Sequence, residues 1–348
     1  MNSSNIPLDF RSLTRDELEA WFTEKGLPPY RGRQIFQALW RPSFKDFSQV
    51  TDFPMSLRKE LKSSVTFTDI DIRSVHHSKD GTAKLVLALC DGLFIETVII
   101  PERDHKTICL STQVGCNMGC KFCYTAKMGF KRDLSPGEIA SQVISAINGL
   151  ALEEKPRNIV FMGMGEPLKN YSNLKKAIQI LTDDLALNYS PKRITVSTCG
   201  ILPEMLELGD DFDVGLAVSI HAYNDETRNK LMPINRKHSI NQLIKACKLY
   251  HLSKRRRITF EYLLLAGIND DVDHAKGLAG LLKGIPAKVN LIPWNQNPDM
   301  PFKAPEEKKV QAFRKILIDL NYTAIIRKSK GNDISAACGQ LFQSIKPS

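Results

Sequence analysis

Six short apolar or β-branched runs recur along the chain from about residue 105 onward: 107–112 (TICLST), 158–163 (NIVFMG), 193–198 (RITVST), 214–220 (VGLAVSI), 258–265 (ITFEYLLL) and 288–293 (KVNLIP). They run continuously rather than alternating with polar residues, as strands covered on both faces do. Longer stretches with helical periodicity lie between and after them, at 174–184, 240–251, 272–283 and 306–320. The clearest helix start is Ser135-Pro136-Gly137-Glu138, where a serine cap, a proline at the first helical position and a glutamate at the third form a capping box ahead of IASQVISAI. This alternation predicts parallel strands with right-handed crossovers: an α/β fold in the form of a partial (βα)6, TIM-like barrel. A doubly wound sheet satisfies the same periodicity. The barrel reading puts chemistry at the carboxyl ends of the strands.

The first hundred residues read differently. Short helices are expected at 15–25, 31–40 and 57–63, then a strand pair at 83–90 and 93–100 around the turn Asp91-Gly92. Residues 1–100 are therefore expected to form a small, mainly helical accessory domain, with 101–348 as the barrel core. Arg31, Arg33, Trp40 and Arg41 give the accessory part a basic and aromatic mix suited to RNA, or simply a solvated helix face.

The 348 residues carry a formal net charge of +10, so polyanions, nucleic acid among them, are candidate partners. No apolar run approaches the roughly 18 residues of a membrane span, and the start MNSSNIPLDF has no secretory pattern, so a cytoplasmic address is expected. Eight cysteines are then expected to be reduced, where clustering points to metal binding or catalysis. Just past the first strand, Cys116, Cys120 and Cys123 stand at C-x3-C-x2-C spacing. Structural zinc closes with four ligands, and His105 lies on the wrong side of the strand. A 4Fe-4S cluster held by three cysteines keeps one iron open for a small molecule. Gly163, Gly165 and Glu166 end the second strand, and Ser197, Ser219, His221 and Asn295 stand at or just beyond later strand ends, each also readable as an ordinary turn or core polar group.

The cysteine loop with Phe122 before its last cysteine resembles the radical S-adenosylmethionine (SAM) enzymes. That resemblance implies a 4Fe-4S cluster on the three cysteines, SAM on the open iron, and an external one-electron reductant. The set CNMGCKFC, FMGMGEPL, LMPIN, ITFEY, NLIPWN and DISAACGQL narrows it: from about Tyr30 to Leu341 the chain resembles the RlmN and Cfr family of RNA adenine methyltransferases. The resemblance implies methylation of adenosine C2 in 23S rRNA and in tRNA beside the anticodon. Cys338 would carry a methyl group, Cys109 would release the product through a transient disulfide with Cys338, and Glu96 would accept a proton. Gly165, Glu166, Ser197, Ser219, Ile220, His221 and Asn295 would contact SAM. Cys199 and Tyr124 depart from the residues common in the family at their positions. Methylation at C8, as in Cfr, is the near rival, and Pro167 after Gly165-Glu166 resembles the C2 enzymes. A zinc-stabilised RNA-binding protein and a radical enzyme acting on another substrate are the more distant readings. Lys192-Arg193, 254–257 (KRRR) and 327–330 (RKSK) are candidate phosphate contacts, and a monomer is expected.

Overall fold

The computed structural model describes residues 7–295, 299–337 and 339–341. Its amino-terminal part is built on helices α1 (Arg15–Glu24), α2 (Tyr30–Leu39) and α3 (Met55–Ser64), tied by the two-residue parallel pair β1 (Leu8–Asp9) and β2 (Val65–Thr66). Thr14 and Glu17 close a capping box that starts α1. Phe10, Phe22, Phe47 and Phe53 fill the space between the helices, Phe10 against Phe47 and Phe22 against Phe53 edge-to-face and Phe10 against Phe22 tilted. Arg11, 1% exposed, lies among them; its guanidinium donates to the carbonyls of Leu39 and Thr68 and stands 5.2 Å from the Phe67 ring.

The core is one ten-stranded sheet. Its antiparallel portion is β3 (Asp71–His77), β4 (Ala83–Ala88) and β5 (Phe94–Pro101), and β5 pairs antiparallel with β6 (Lys106–Cys109). A small separate pair, β7 (Gln113–Gly115) and β8 (Phe130–Asp133), brackets the cysteine loop. From β6 the sheet continues in parallel through β9 (Asn158–Phe161), β10 (Ile194–Thr198), β11 (Gly215–Ser219), β12 (Ile258–Leu264), β13 (Ala287–Pro293) and β14 (Thr323–Ile326). Because β3 and β14 are the two edges, the barrel is incomplete. Its helices are α4 (Tyr124–Lys127), α5 (Pro136–Gly149), α6 (Tyr171–Thr182), α7 (Leu202–Asp211), α8 (Asp225–Leu231), α9 (Ile240–Leu249), α10 (Val272–Leu281) and α11 (Glu307–Asp319). The capping box at Ser135 starts α5, which is buried over nearly its whole length.

All six expected strands are present, and β14 is a seventh in the parallel set. The expected hairpin also belongs elsewhere than anticipated: β4 and β5 extend the barrel sheet rather than the helical domain. The reason lies in β5, which is buried on both faces and gives its outer Thr97 hydroxyl to Gln142 of α5. Among the described residues no helix is long and apolar enough to cross a membrane.

Candidate active site

The cysteine loop is closed by backbone. Cys116 N–H donates to Gly129 C=O at 3.0 Å, and residue 115 must be glycine, because its φ is +77° and any Cβ there would lie 1.8 Å from that same oxygen. Inside the loop, Cys123 N–H donates to Cys120 C=O, and Lys121 N–H donates to Leu231 C=O at the end of α8. The three thiols thereby face one cavity at the carboxyl ends of the strands, shared with Gly165, Glu166, Ser197, Ser219 and His221. Burial, with the neighbouring Cys123 and Glu166 adding to it, pushes the Cys116 thiol up to about 12 and Cys120 well upward. Thiols so buried become thiolates when a metal centre replaces their protons.

Each strand end adds a defined group. Glu166, 4% exposed, accepts Cys199 N–H at 2.8 Å and Leu168 N–H at 3.1 Å. Burial pushes its carboxyl up, and those two donors work in the opposite direction. Gly165 sits at φ +103°, and a Cβ there would lie 2.8 Å from Gln113 N, so both the backbone and the packing require glycine. His221 accepts Leu263 N–H on Nδ1 at 3.0 Å, and its ring meets Phe122 of the cysteine loop edge-on at 4.8 Å. Burial, reinforced by Arg228, lowers this imidazole to about 3, so it is neutral with its proton on Nε2.

Three groups here escaped sequence reasoning. Arg228 of α8 is wholly buried and donates to the carbonyls of Ile220, Cys199 and Ser219 and to Asn235 Oδ1, joining the ends of β10 and β11 to the LMPIN segment. Glu261 of β12 accepts Asn290 on Oε1, and its Oε2 is buried in the cavity wall with no hydrogen-bond partner among the described residues. Trp294 Nε1 is buried in the same wall and also unpartnered. Nothing local marks them: LMPIN and ITFEY drew notice as strings, whereas these contacts join residues far apart in sequence.

The remaining expected residues divide. Ile220 is fully buried behind the cavity wall. Asn295 donates to Ser329 Oγ and lines an adjoining cavity that shares Leu263, Ile292 and Trp294 with the first. Of the basic runs, only 327–330 borders that adjoining cavity; Lys192-Arg193 and 254–257 precede β10 and β12 at the opposite, amino ends. Cys109 and Glu96 are buried on adjacent strands: Cys109 pairs with Val98 in the ladder, two residues from Glu96. Cys338 lies outside the described residues. On either side of it Ala337 lines the adjoining cavity and Gly339 the first, with Gly339 C=O accepting Tyr124 N–H at 2.8 Å and Leu341 C=O accepting Thr125 Oγ1 at 3.0 Å. Among the described residues there is no disulfide.

This donor set fits an iron–sulfur cluster with SAM. Among the described residues no three metal-binding side chains form a single-ion site; a cluster instead gives each thiolate its own iron. Glu261 Oε2 and Trp294 Nε1, buried in the cavity wall without a hydrogen-bond partner among the described residues, suit a polar ligand beside such a cluster.

Comparison with known proteins agrees. Residues 110–278 match the radical SAM superfamily, and residues 8–66 match the ribosomal RNA large subunit methyltransferase N-terminal domain. The chain is 46% identical over 342 residues to the dual-specificity RNA methyltransferase RlmN of Desulfotalea psychrophila, covering 96% of this chain and 94% of that one. It is 44% identical to the protein of the same name from Geobacter sulfurreducens, covering 98% and 94%. A crystal structure of a radical SAM methyltransferase from Sphaerobacter thermophilus superposes with TM-score 0.90 at 41% identity, covering 96% and 99%.

Proposed function

Because the chain belongs to the RlmN family of radical SAM RNA methyltransferases, we propose that it methylates carbon 2 of adenosine in 23S rRNA and in tRNA, through a methyl group carried on Cys338. The observation that carries this reading is the packing of Gly339 and Leu341 against α4, directly after Cys123. Gly339 and Leu341, just after the carrier cysteine, thus border the cavity that the three thiols line, and Ala337, just before it, borders the adjoining one.

Carbon 2 lies between two ring nitrogens and is too electron-poor to attack the methyl group of SAM by polar displacement. When bound, the cluster and SAM supply a carbon radical, with one electron from an external reductant. The protein does the rest. Cys116, Cys120 and Cys123 hold the cluster; Gly165 and Glu166, Ser197, Ser219, Ile220, His221 and Asn295 bind and orient SAM. Gly163 and Gly165 let the end of β9 pack directly on Leu110 and Gln113 beside the cavity, while Glu166 and Glu261 offer carboxylates to an ammonium or hydroxyl group. Cys338 stores the methyl group and so divides one difficult step into two. Glu96 takes the proton that C2 must lose, and Cys109 frees the product by attack on sulfur. The 327–330 run tracks phosphate beside the adjoining cavity, where the base enters after leaving its stack. Such substrates are met in the cytoplasm, and we read the enzyme as a monomer there.

The test is anaerobic reconstitution with iron and sulfide, followed by SAM, reductant and 23S rRNA or tRNA, then nucleoside mass analysis. 2-Methyladenosine is expected, and Cys338→Ala should abolish it while retaining the cluster absorbance. 8-Methyladenosine, or no methylated adenosine, overturns the reading.

A further inference from the structure

Lys84 and Glu96 form a buried ion pair. Their side chains expose 5% and 1% of their surface, and Lys84 Nζ lies 3.0 Å from Glu96 Oε1. Lys84 is opposite Val98 in the β4–β5 ladder and Glu96 opposite Val86, so Lys84, Val86, Glu96 and Val98 share one face of the sheet. Cys109, opposite Val98 on β6, shares that face too. The ammonium also lies 3.4 Å from the carbonyl oxygen of Ser335, three residues before Cys338. Ser335 ends a short 3-10 turn in left-handed backbone, φ +52°. The same segment is pinned to the β3–β4 turn by Gly331 N–H on Asp80 Oδ2 at 2.9 Å and by Asp333, which accepts Ser78 Oγ at 2.5 Å and Lys79 N–H at 3.2 Å.

Stability does not account for this pair. Two buried charges cost several kcal/mol each in desolvation, and apolar residues of similar volume commonly serve as well. A carboxylate buried without its cation takes up a proton, and a protonated Glu96 has no capacity to accept another.

We propose that Lys84 is a positioning residue for methyl transfer: it keeps Glu96 ionised and aimed, and it ties that carboxylate to the segment bearing Cys338. The inference rests on the role given to Glu96 above. In the step concerned, a Glu96 oxygen gains the C2 proton and the C–H bonding pair stays with the nucleoside. Among the described residues the titratable groups that share this face of the sheet with Glu96 are Lys84 from β4 and Cys109 from β6; Asp80 and Asp333 are engaged at the outer turn.

The test uses the reconstituted full chain and separates two half-reactions: the one-methyl mass gain of the Cys338 peptide with SAM alone, and single-turnover transfer to an rRNA fragment. Lys84→Met is expected to slow transfer at pH 7 by about 10²-fold, move the acid limb of its pH profile upward, and leave the Cys338 mass gain unchanged. Lys84→Arg should restore the profile, and Lys84→Met should add nothing to the loss from Glu96→Gln. Lys84→Gln is read in the same way should the methionine variant not fold. Transfer at the wild-type rate, an unmoved acid limb, or equal loss of both half-reactions in the Met or Gln variant overturns the proposal. A wild-type enzyme that yields no 2-methyladenosine fails one stage earlier, at the function itself, and takes the role of Lys84 with it.

Discussion

Arg11 among the accessory helices and Arg228 at the barrel rim expose 1% and 0% of their surface, and burial lowers both guanidinium groups from their ordinary value. They solve burial in the same way, donating to backbone carbonyls instead of taking a close carboxylate. Arg11 binds Leu39 and Thr68 and rests against Trp40 and Phe67; the nearest acid, Asp69, is 3.8 Å away and more than half exposed. Arg228 binds Cys199, Ser219 and Ile220, carbonyls at the ends of two strands that rim the cavity. One arginine therefore fixes the path of a loop between helices, and the other fixes the spacing of strand ends where chemistry occurs. The lesson is that a buried cation reports a place where the backbone has turned its carbonyls inward; what those carbonyls belong to decides whether the result is a domain or a site.

The comparison is sharpest in substitution. Arg228→Met leaves several carbonyls and Asn235 without a donor, at about 1–3 kcal/mol for each buried group. A loss of about 3–5 kcal/mol in urea unfolding is expected, with a fall in SAM affinity by calorimetry. Wild-type stability in this variant would break the parallel. Arg11→Met deprives two carbonyls, so about 2–3 kcal/mol is expected, with faster proteolytic nicking between α2 and β3 and unchanged SAM affinity. An equal loss of SAM binding in both variants would mean the two regions are one cooperative unit. The smallest effect concerns His221, which stands near Arg228 and has no counterpart at Arg11. Its folded value of about 3 lies below the unfolded value near 6.5, so the unfolded chain binds the extra proton between those limits. Stability should therefore rise with pH across that window, by at most about 1.4 kcal/mol per pH unit from this group. His221→Asn should flatten the rise by that amount, and an unchanged slope would show that other groups set it.

Much of the barrel was legible because its strands are buried on both faces and its helices carry local start signals; Ser135, Pro136 and Glu138 occupy the cap, first and third positions as read. The cysteine loop was legible because three ligands fall within a few residues. What hid was long-range. β14 is four residues long with only Ala324 buried, so its pattern is faint. β3, DIRSVHH, is mainly polar and becomes a strand through pairing with β4. Arg11, Lys84, Arg228 and Glu261 read as surface charges until distant partners are brought to them, as when Lys84 meets Ser335 from 251 positions away. The basic runs misled in the other direction: composition made three of them equivalent, and topology sets two at the far end of the sheet from the cavity.

The clasp between Gly115 and Gly129 carries a consequence for variation. With Cys116 N–H fastened to Gly129 C=O, the residues between form a sealed ring whose circumference is set at its neck. With the neck fixed, inserting or deleting a residue between Cys116 and Cys123 would change the spacing of the sulfurs within it. Change in this ring should therefore arrive as exchanged side chains at constant length, and a fusion or tag placed within it would cost the whole ring.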